Sequence, residues 1–113
     1  MKSAIFIGRF QPFHKGHQEC IKEILKTKDL VTIIIRDGVK NEKNPYDIAE
    51  RFETIFQWIA KEKLQDTVKL LPLDDPNYDL TVYYGRKVGY KIEELHMPEE
   101  IEDISATKIR AGL

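Results

Sequence analysis

Two histidines three residues apart, His14 and His17, flank Lys15 and Gly16 at the end of the run Gly8-Arg9-Phe10-Gln11-Pro12-Phe13-His14-Lys15-Gly16-His17. At the opening turn of a helix this spacing puts both rings on one side, while Gly16 lets a ligand approach the backbone. Two imidazoles so placed can donate hydrogen bonds to a phosphate as negative charge grows in a transition state. Displacement at phosphorus depends chiefly on alignment and charge stabilisation, so the pair needs neither a general base nor a covalent intermediate. The plain alternatives are helix capping by His14 and core packing by His17. A metal centre fails on ligand count: no third His, Cys or acidic ligand is nearby, and His96 belongs to a distant strand end. A P-loop is excluded because no GxxxxGK[ST] occurs.

A second set of groups for an anion lies near the other end, in Ile104-Ser105-Ala106-Thr107-Lys108-Ile109-Arg110. Ser105 and Thr107 can present hydroxyls and free backbone N–H groups at a helix start, and Arg110, one turn along, can reach the same anion. Alone, this stretch reads as an ordinary capped helix with a surface arginine; beside the histidine pair it reads as half of a phosphate cradle. Asp37, just past a strand, can face an acceptor or a hydrated Mg2+, or simply make the turn before Gly38.

The elements that must carry these residues follow from hydrophobic patterning. Ser3 to Ile7 is a short apolar run closed by glycine, a buried parallel strand. Gly16 to Lys26 places Cys20, Ile21, Ile24 and Leu25 at helical spacing, and Leu30 to Ile35 is a nearly continuous β-branched strand. Strand, helix, strand at this length is a right-handed parallel crossover, which brings the histidine segment to the C-terminal edge of the sheet and against a positive helix terminus. A polar loop with Asp37-Gly38 and Asn44-Pro45 leads to a second helix from about Asp47 to about Lys63, expected to bury Ile48, Phe52, Ile55, Phe56 and Ile59. Val68 to Leu71, Leu80 to Tyr84 and Lys91 to Leu95 read as three more strands, and Ser105 to Leu113 as a terminal helix.

The 113 residues suit one domain, 1–113. A formal net charge of −1 gives no electrostatic reason to bind nucleic acid. Cys20 is the single cysteine, so neither an internal disulfide nor a Cys-based zinc cluster is available, and a buried small hydrophobe is its expected role. No apolar run approaches the ~20 residues a bilayer span needs, and no targeting segment precedes the first strand, so the cytoplasm is the expected setting.

The histidine segment resembles the HxGH motif of the nucleotidylyltransferase superfamily, in the form seen in archaeal-type nicotinamide mononucleotide adenylyltransferases. The second stretch is similar to that superfamily's ISSTxxR element. The stretches Ile35 to Asn44, Tyr84 to Tyr90 and Ile104 to Arg110 also look like the cytidylyltransferase-like domains sometimes joined to adenylylsulfate kinase, and the compact size resembles that of small cytidylyltransferases such as the glycerol-3-phosphate enzyme. The resemblance implies a Rossmann-like, open five-stranded parallel α/β sheet with helices on both faces. It further implies transfer of a nucleotide from a nucleoside triphosphate, ATP favoured and CTP open, to a phosphorylated small molecule with release of pyrophosphate. His14, His17 and Lys15 would be catalytic. Gly8, Arg9, Phe10, Gly16, Gly85, Arg86, Ser105, Thr107 and Arg110 would hold the nucleotide, with Arg9 in reach of the acceptor phosphate. Asp37, Asn44 and Arg51 would frame the acceptor, Mg2+ would accompany the triphosphate, and the chain would pair as a homodimer. The rival from another class is a non-catalytic nucleotide sensor or assembly subunit built on the same anion site.

Overall fold

The computed structural model describes residues 1–86, 89–104 and 109. Its described elements are β1 (Ser3–Gly8), α1 (Lys15–Leu25), β2 (Leu30–Asp37), α2 (Ile48–Lys61), β3 (Val68–Asp74) and the short α3 (Glu99–Glu102). β1, β2 and β3 form a parallel sheet in that order, with Ile7 opposite Ile34 and Ile34 opposite Leu71. Both crossovers step across the sheet in the same direction, and two right-handed crossovers of that kind put both helices on one face.

That face is the core. Val31, Ile33 and Ile35 alternate along β2 with no exposure and pack with Ile21 of α1, with Ile55, Trp58 and Ile59 of α2, and with Phe10 and Phe13 of the intervening loop. Each such side chain contributes about 1.5–3 kcal/mol on full burial, enough to set the register of the whole unit. The opposite face carries Ile5, Ile7 and Leu71, all exposed, so β1 is not the buried strand its apolar run suggests: only its other face meets a helix layer.

In place of five strands, the described residues form three. Segments 80–84 and 91–95 run without regular structure, and Val82, Tyr83, Tyr84 and Ile92 are exposed. Their β-branched and alternating composition reports how a side chain suits a pleated surface; it does not supply the neighbouring strand whose hydrogen bonds make a ladder. β3 instead extends three residues beyond the expected Leu71 and includes Pro72, tolerable on an edge strand where the missing N–H faces outward.

α2 is rotated from its expected orientation. Arg51, Ile55, Trp58 and Ile59 are buried, while Phe52 is 37% and Phe56 52% exposed. Ile55 and Ile59 belong to both candidate stripes, so periodicity alone does not choose between them. The inward stripe carries Trp58 onto the ring of Phe13, 5.3 Å between centroids, and gives Arg51 backbone carbonyls to bond. Cys20 is half-buried rather than core. α3 arises from Glu99–Glu102, which carried no helical expectation, and packs against α1. The expected terminal helix from Ser105 to Leu113 falls almost wholly outside the described residues. No helix among the described residues is long and apolar enough to cross a membrane.

Candidate active site

β1 ends at Gly8, and the reason for glycine is steric: a Cβ there would stand 2.8 Å from Cζ of Phe10. Phe10 sits in the left-handed region at φ 53°, which a bulky residue adopts only when its surroundings fix it. Its ring is buried against Phe6 at 5.9 Å, Phe13 at 5.8 Å and His17 at 4.8 Å. Gln11, also buried, donates from Nε2 to the carbonyl of Tyr46 at 2.9 Å and accepts the Tyr46 N–H at Oε1, also at 2.9 Å. The β1–α1 loop is thereby fastened to the loop that precedes α2.

His14 is the N-cap of α1. Its Nδ1 accepts the Gly16 N–H at 3.0 Å, and its own backbone N–H donates to Nδ1 of His17 at 3.1 Å. These bonds satisfy helix-terminal donors and at the same time assign the tautomers. With both Nδ1 atoms accepting, each neutral ring carries its proton on Nε2. The rings stack at 3.8 Å between centroids. Burial drives the His17 pKa down to about 3, with the neighbouring His14 adding a smaller repulsion, and burial also lowers that of His14. Both are therefore neutral Nε2–H donors at pH 7. Gly16 is required by the same packing, since a Cβ would lie 2.8 Å from Cε1 of His14.

A cavity of about 900 Å³ opens over this helix start, lined among others by Arg9, His14, Gly16, His17, Asn44 and Ile104. Ile104, first residue of the second stretch, comes within 3.4 Å of where a Gly16 Cβ would be. Ser105, Thr107 and Arg110 themselves lie outside the described residues. Lys15 opens α1 but is exposed and is not among the cavity residues. Gly85 and Arg86 are exposed and are not among the lining residues, and the backbone carbonyl of Asp37 accepts the Asp75 N–H at 3.0 Å.

Arg51 is placed beneath the site rather than in it. Only 2% exposed, it donates from Nη1 to the carbonyls of Arg9 and Arg36, each at 2.7 Å, and from Nε to that of Asp47 at 3.1 Å. It fastens the ends of β1 and β2 together. Three residues that composition and spacing did not single out complete the frame: Gln11, Asp75 and Tyr78. Asp75 is buried and pairs with Arg36; the Pro76-Asn77 turn signal beside it marks a turn but not the ring that follows.

The cytidylyltransferase-like family model matches residues 5–70, which contain the strand, the histidine helix and the crossover just described. The chain belongs to the cytidylyltransferase-like family. A nicotinamide-nucleotide adenylyltransferase of Thermoplasma acidophilum is 40% identical over 78 residues, which is 67% of this chain and 43% of that protein. One from Methanolobus tindarius is 41% identical over 80 residues, 66% of this chain and 43% of that protein. Among solved structures, the bifunctional NMN adenylyltransferase/ADP ribose pyrophosphatase of Francisella tularensis superposes with a TM-score of 0.60 at 38% identity, covering 66% of this chain and 23% of that one. The same enzyme has also been seen complexed with AMP and an Mn ion. This chain therefore spans less than half the length of the curated relatives it matches.

Proposed function

We propose that this cytidylyltransferase-like chain transfers the adenylyl group of ATP to a phosphorylated small molecule, nicotinamide mononucleotide being the first candidate, and releases pyrophosphate. The observation that carries this reading is the stacked pair His14 and His17, held neutral with both Nε2–H groups as donors at the rim of the cavity. Relatives at about 40% identity that carry this activity by name support ATP and that acceptor.

An oxygen of the acceptor phosphate attacks the α-phosphorus of ATP, the bond to the β-phosphate bridging oxygen breaks, and the electron pair leaves with pyrophosphate. The two Nε2–H groups donate to the α-phosphate oxygens as their charge rises, and donors fixed by backbone bonds need no reorganisation at that moment. Arg9 meets the acceptor phosphate at the same rim. Lys15, Ser105, Thr107 and Arg110 hold the β- and γ-phosphates, and the nucleobase contacts Gly85 and Arg86; these assignments rest on the family motifs.

Among the described residues no three His, Cys, Asp or Glu side chains converge, and the motif offers N–H donors and a cation, which suit phosphate oxygens. These residues do not form a cage for Mg2+. In this reading the ion arrives on the triphosphate, whose charge it offsets. Pairing of two chains is proposed from the exposed apolar sheet face; gel filtration at the mass of one 13.2 kDa chain would remove it.

Pyrophosphate release is the test, with ATP or CTP, Mg2+, and nicotinamide mononucleotide or glycerol 3-phosphate as acceptor. Release that requires ATP and nicotinamide mononucleotide together supports the proposal. Release only with CTP, or none while ATP still binds, overturns it.

A further inference from the structure

The loop after β3 delivers one aromatic ring across the C-terminal ends of β1 and β2. The guanidinium of Arg9 lies over the Tyr78 ring at 5.1 Å, and that of Arg36 at 5.8 Å. The two cations differ in what else they meet. Arg36 is paired with the buried carboxylate of Asp75 and is largely covered. Arg9 is exposed, lines the cavity, and has no carboxylate within ion-pair distance among the described residues.

The placement of the ring is over-determined. The Tyr78 N–H closes a turn on the carbonyl of Asp75 at 3.0 Å, the Asp79 N–H bonds the Asp75 carboxylate at 3.1 Å, and the Asp75 N–H bonds the carbonyl of Asp37 at 3.0 Å. Tyr78 itself sits at φ 52°, a left-handed conformation that costs a bulky residue energy and persists where neighbours enforce it. Its ring covers Gly38 so closely that a Cβ there would stand 2.2 Å from Cε2, so glycine at 38 is a condition of the arrangement.

An aromatic face restrains a guanidinium without neutralising it. A carboxylate partner would hold Arg9 equally well but would occupy its N–H donors and have to be displaced by an incoming phosphate, whereas the ring leaves those donors open. We propose that Tyr78 is a positioning residue that holds the Arg9 guanidinium, charged and with its donors open, at the rim of the cavity for a substrate phosphate. This rests on the proposed reading of the cavity as a phosphate site.

The test separates the two claims. NMR of the Arg9 side chain reads the ring contact without any ligand: its δ-proton and Nε–H signals should be ring-current shifted in the parent and in Tyr78→Phe, and lose that shift in Tyr78→Leu. Calorimetric titration with Mg2+-ATP and with nicotinamide mononucleotide then reads the consequence. Tyr78→Leu should weaken one of them by roughly two- to fivefold, the size of an exposed cation–π restraint, Tyr78→Phe should restore it, and Arg9→Ala should weaken it at least as much. In the Arg9→Ala background Tyr78→Leu should have no further effect. Thermal melting of each variant shows that the chain is folded when titrated, and Tyr78→Phe carries the comparison should the leucine variant melt early. Unshifted Arg9 signals in the parent overturn the ring contact. Additive losses in the double variant overturn the positioning role while leaving the phosphate site standing; binding of both ligands untouched by Arg9→Ala overturns the phosphate role of Arg9 itself.

Discussion

The backbone N–H of His14 donates to Nδ1 of His17 at 3.1 Å, and the same two residues stack ring on ring at 3.8 Å. One hydrogen bond thus completes the cap of α1, selects the His17 tautomer and directs its remaining proton to Nε2. Helix capping, one of the alternatives when only the sequence is considered, is therefore compatible with the proposed phosphate recognition: Nδ1 caps, and the proton stays on Nε2.

Replacing His17 by alanine should lower kcat by about 10²- to 10³-fold, the usual effect of removing one preorganised donor to a developing charge. ATP affinity should fall much less, because the interaction strengthens only in the transition state. Steady-state kinetics beside calorimetric ATP binding checks this; equal losses in the two would make His17 a ground-state ligand only.

The histidines also predict a pH response. Both folded-state pKa values lie below the unfolded value of 6.5, that of His17 at about 3. Between those limits the unfolded chain takes up protons that the folded chain refuses, so this stability is complete above pH 6.5 and is lost as pH falls toward 3. Urea midpoints at pH 7.5 and 5 should decrease in that order for the parent and draw closer together in His17→Phe. The His17 ring signals should not titrate between pH 5 and 8, and a midpoint near 6.5 would contradict its burial.

Gly16→Ala would bring a methyl to within 2.8 Å of the His14 ring. The ring must then shift, disturbing the cap and the stack together. Overpacking of this kind costs about 1–3 kcal/mol, and, if the proposed reading holds, activity should drop further than the melting temperature implies, since the displaced atoms belong to the proposed site.

Arg51 separates a structural from a ligand role. Arg51→Met should destabilise by about 2–4 kcal/mol in urea unfolding, because the carbonyls of Arg9 and Arg36 lose their shared donor. A substrate-binding arginine would instead raise KM for the acceptor and leave the urea midpoint in place.

Much of the architecture is legible along the chain because it is local. The apolar run Ser3 to Ile7, the stripe through Ile21 and Ile24 and the β-branched run ending at Ile35 each state their element, but the continuous runs do not say which side is buried, and the HxGH spacing places two rings on one helix turn whatever surrounds them. What depended on partners distant in sequence was not legible. Segments 80–84 and 91–95 have the composition of strands but pair with no strand among the described residues, and Phe52 and Phe56 lost the inward face of α2 to Arg51 and Trp58 because Ile55 and Ile59 serve either stripe. Asn44 is buried and lines the cavity, whereas Arg51 reaches backbone carbonyls beneath it. Residue types and spacing thus determined that this chain carries a pair of imidazoles on a helix start at the end of a parallel strand. The local helix cap then fixes which nitrogen of each ring keeps its proton; only the tertiary structure decided how far the rings are buried, which arginine is buried as a fastening and which stays open over Tyr78, because burial and the partners of Arg9, Arg36 and Arg51 are set by residues brought together from across the fold.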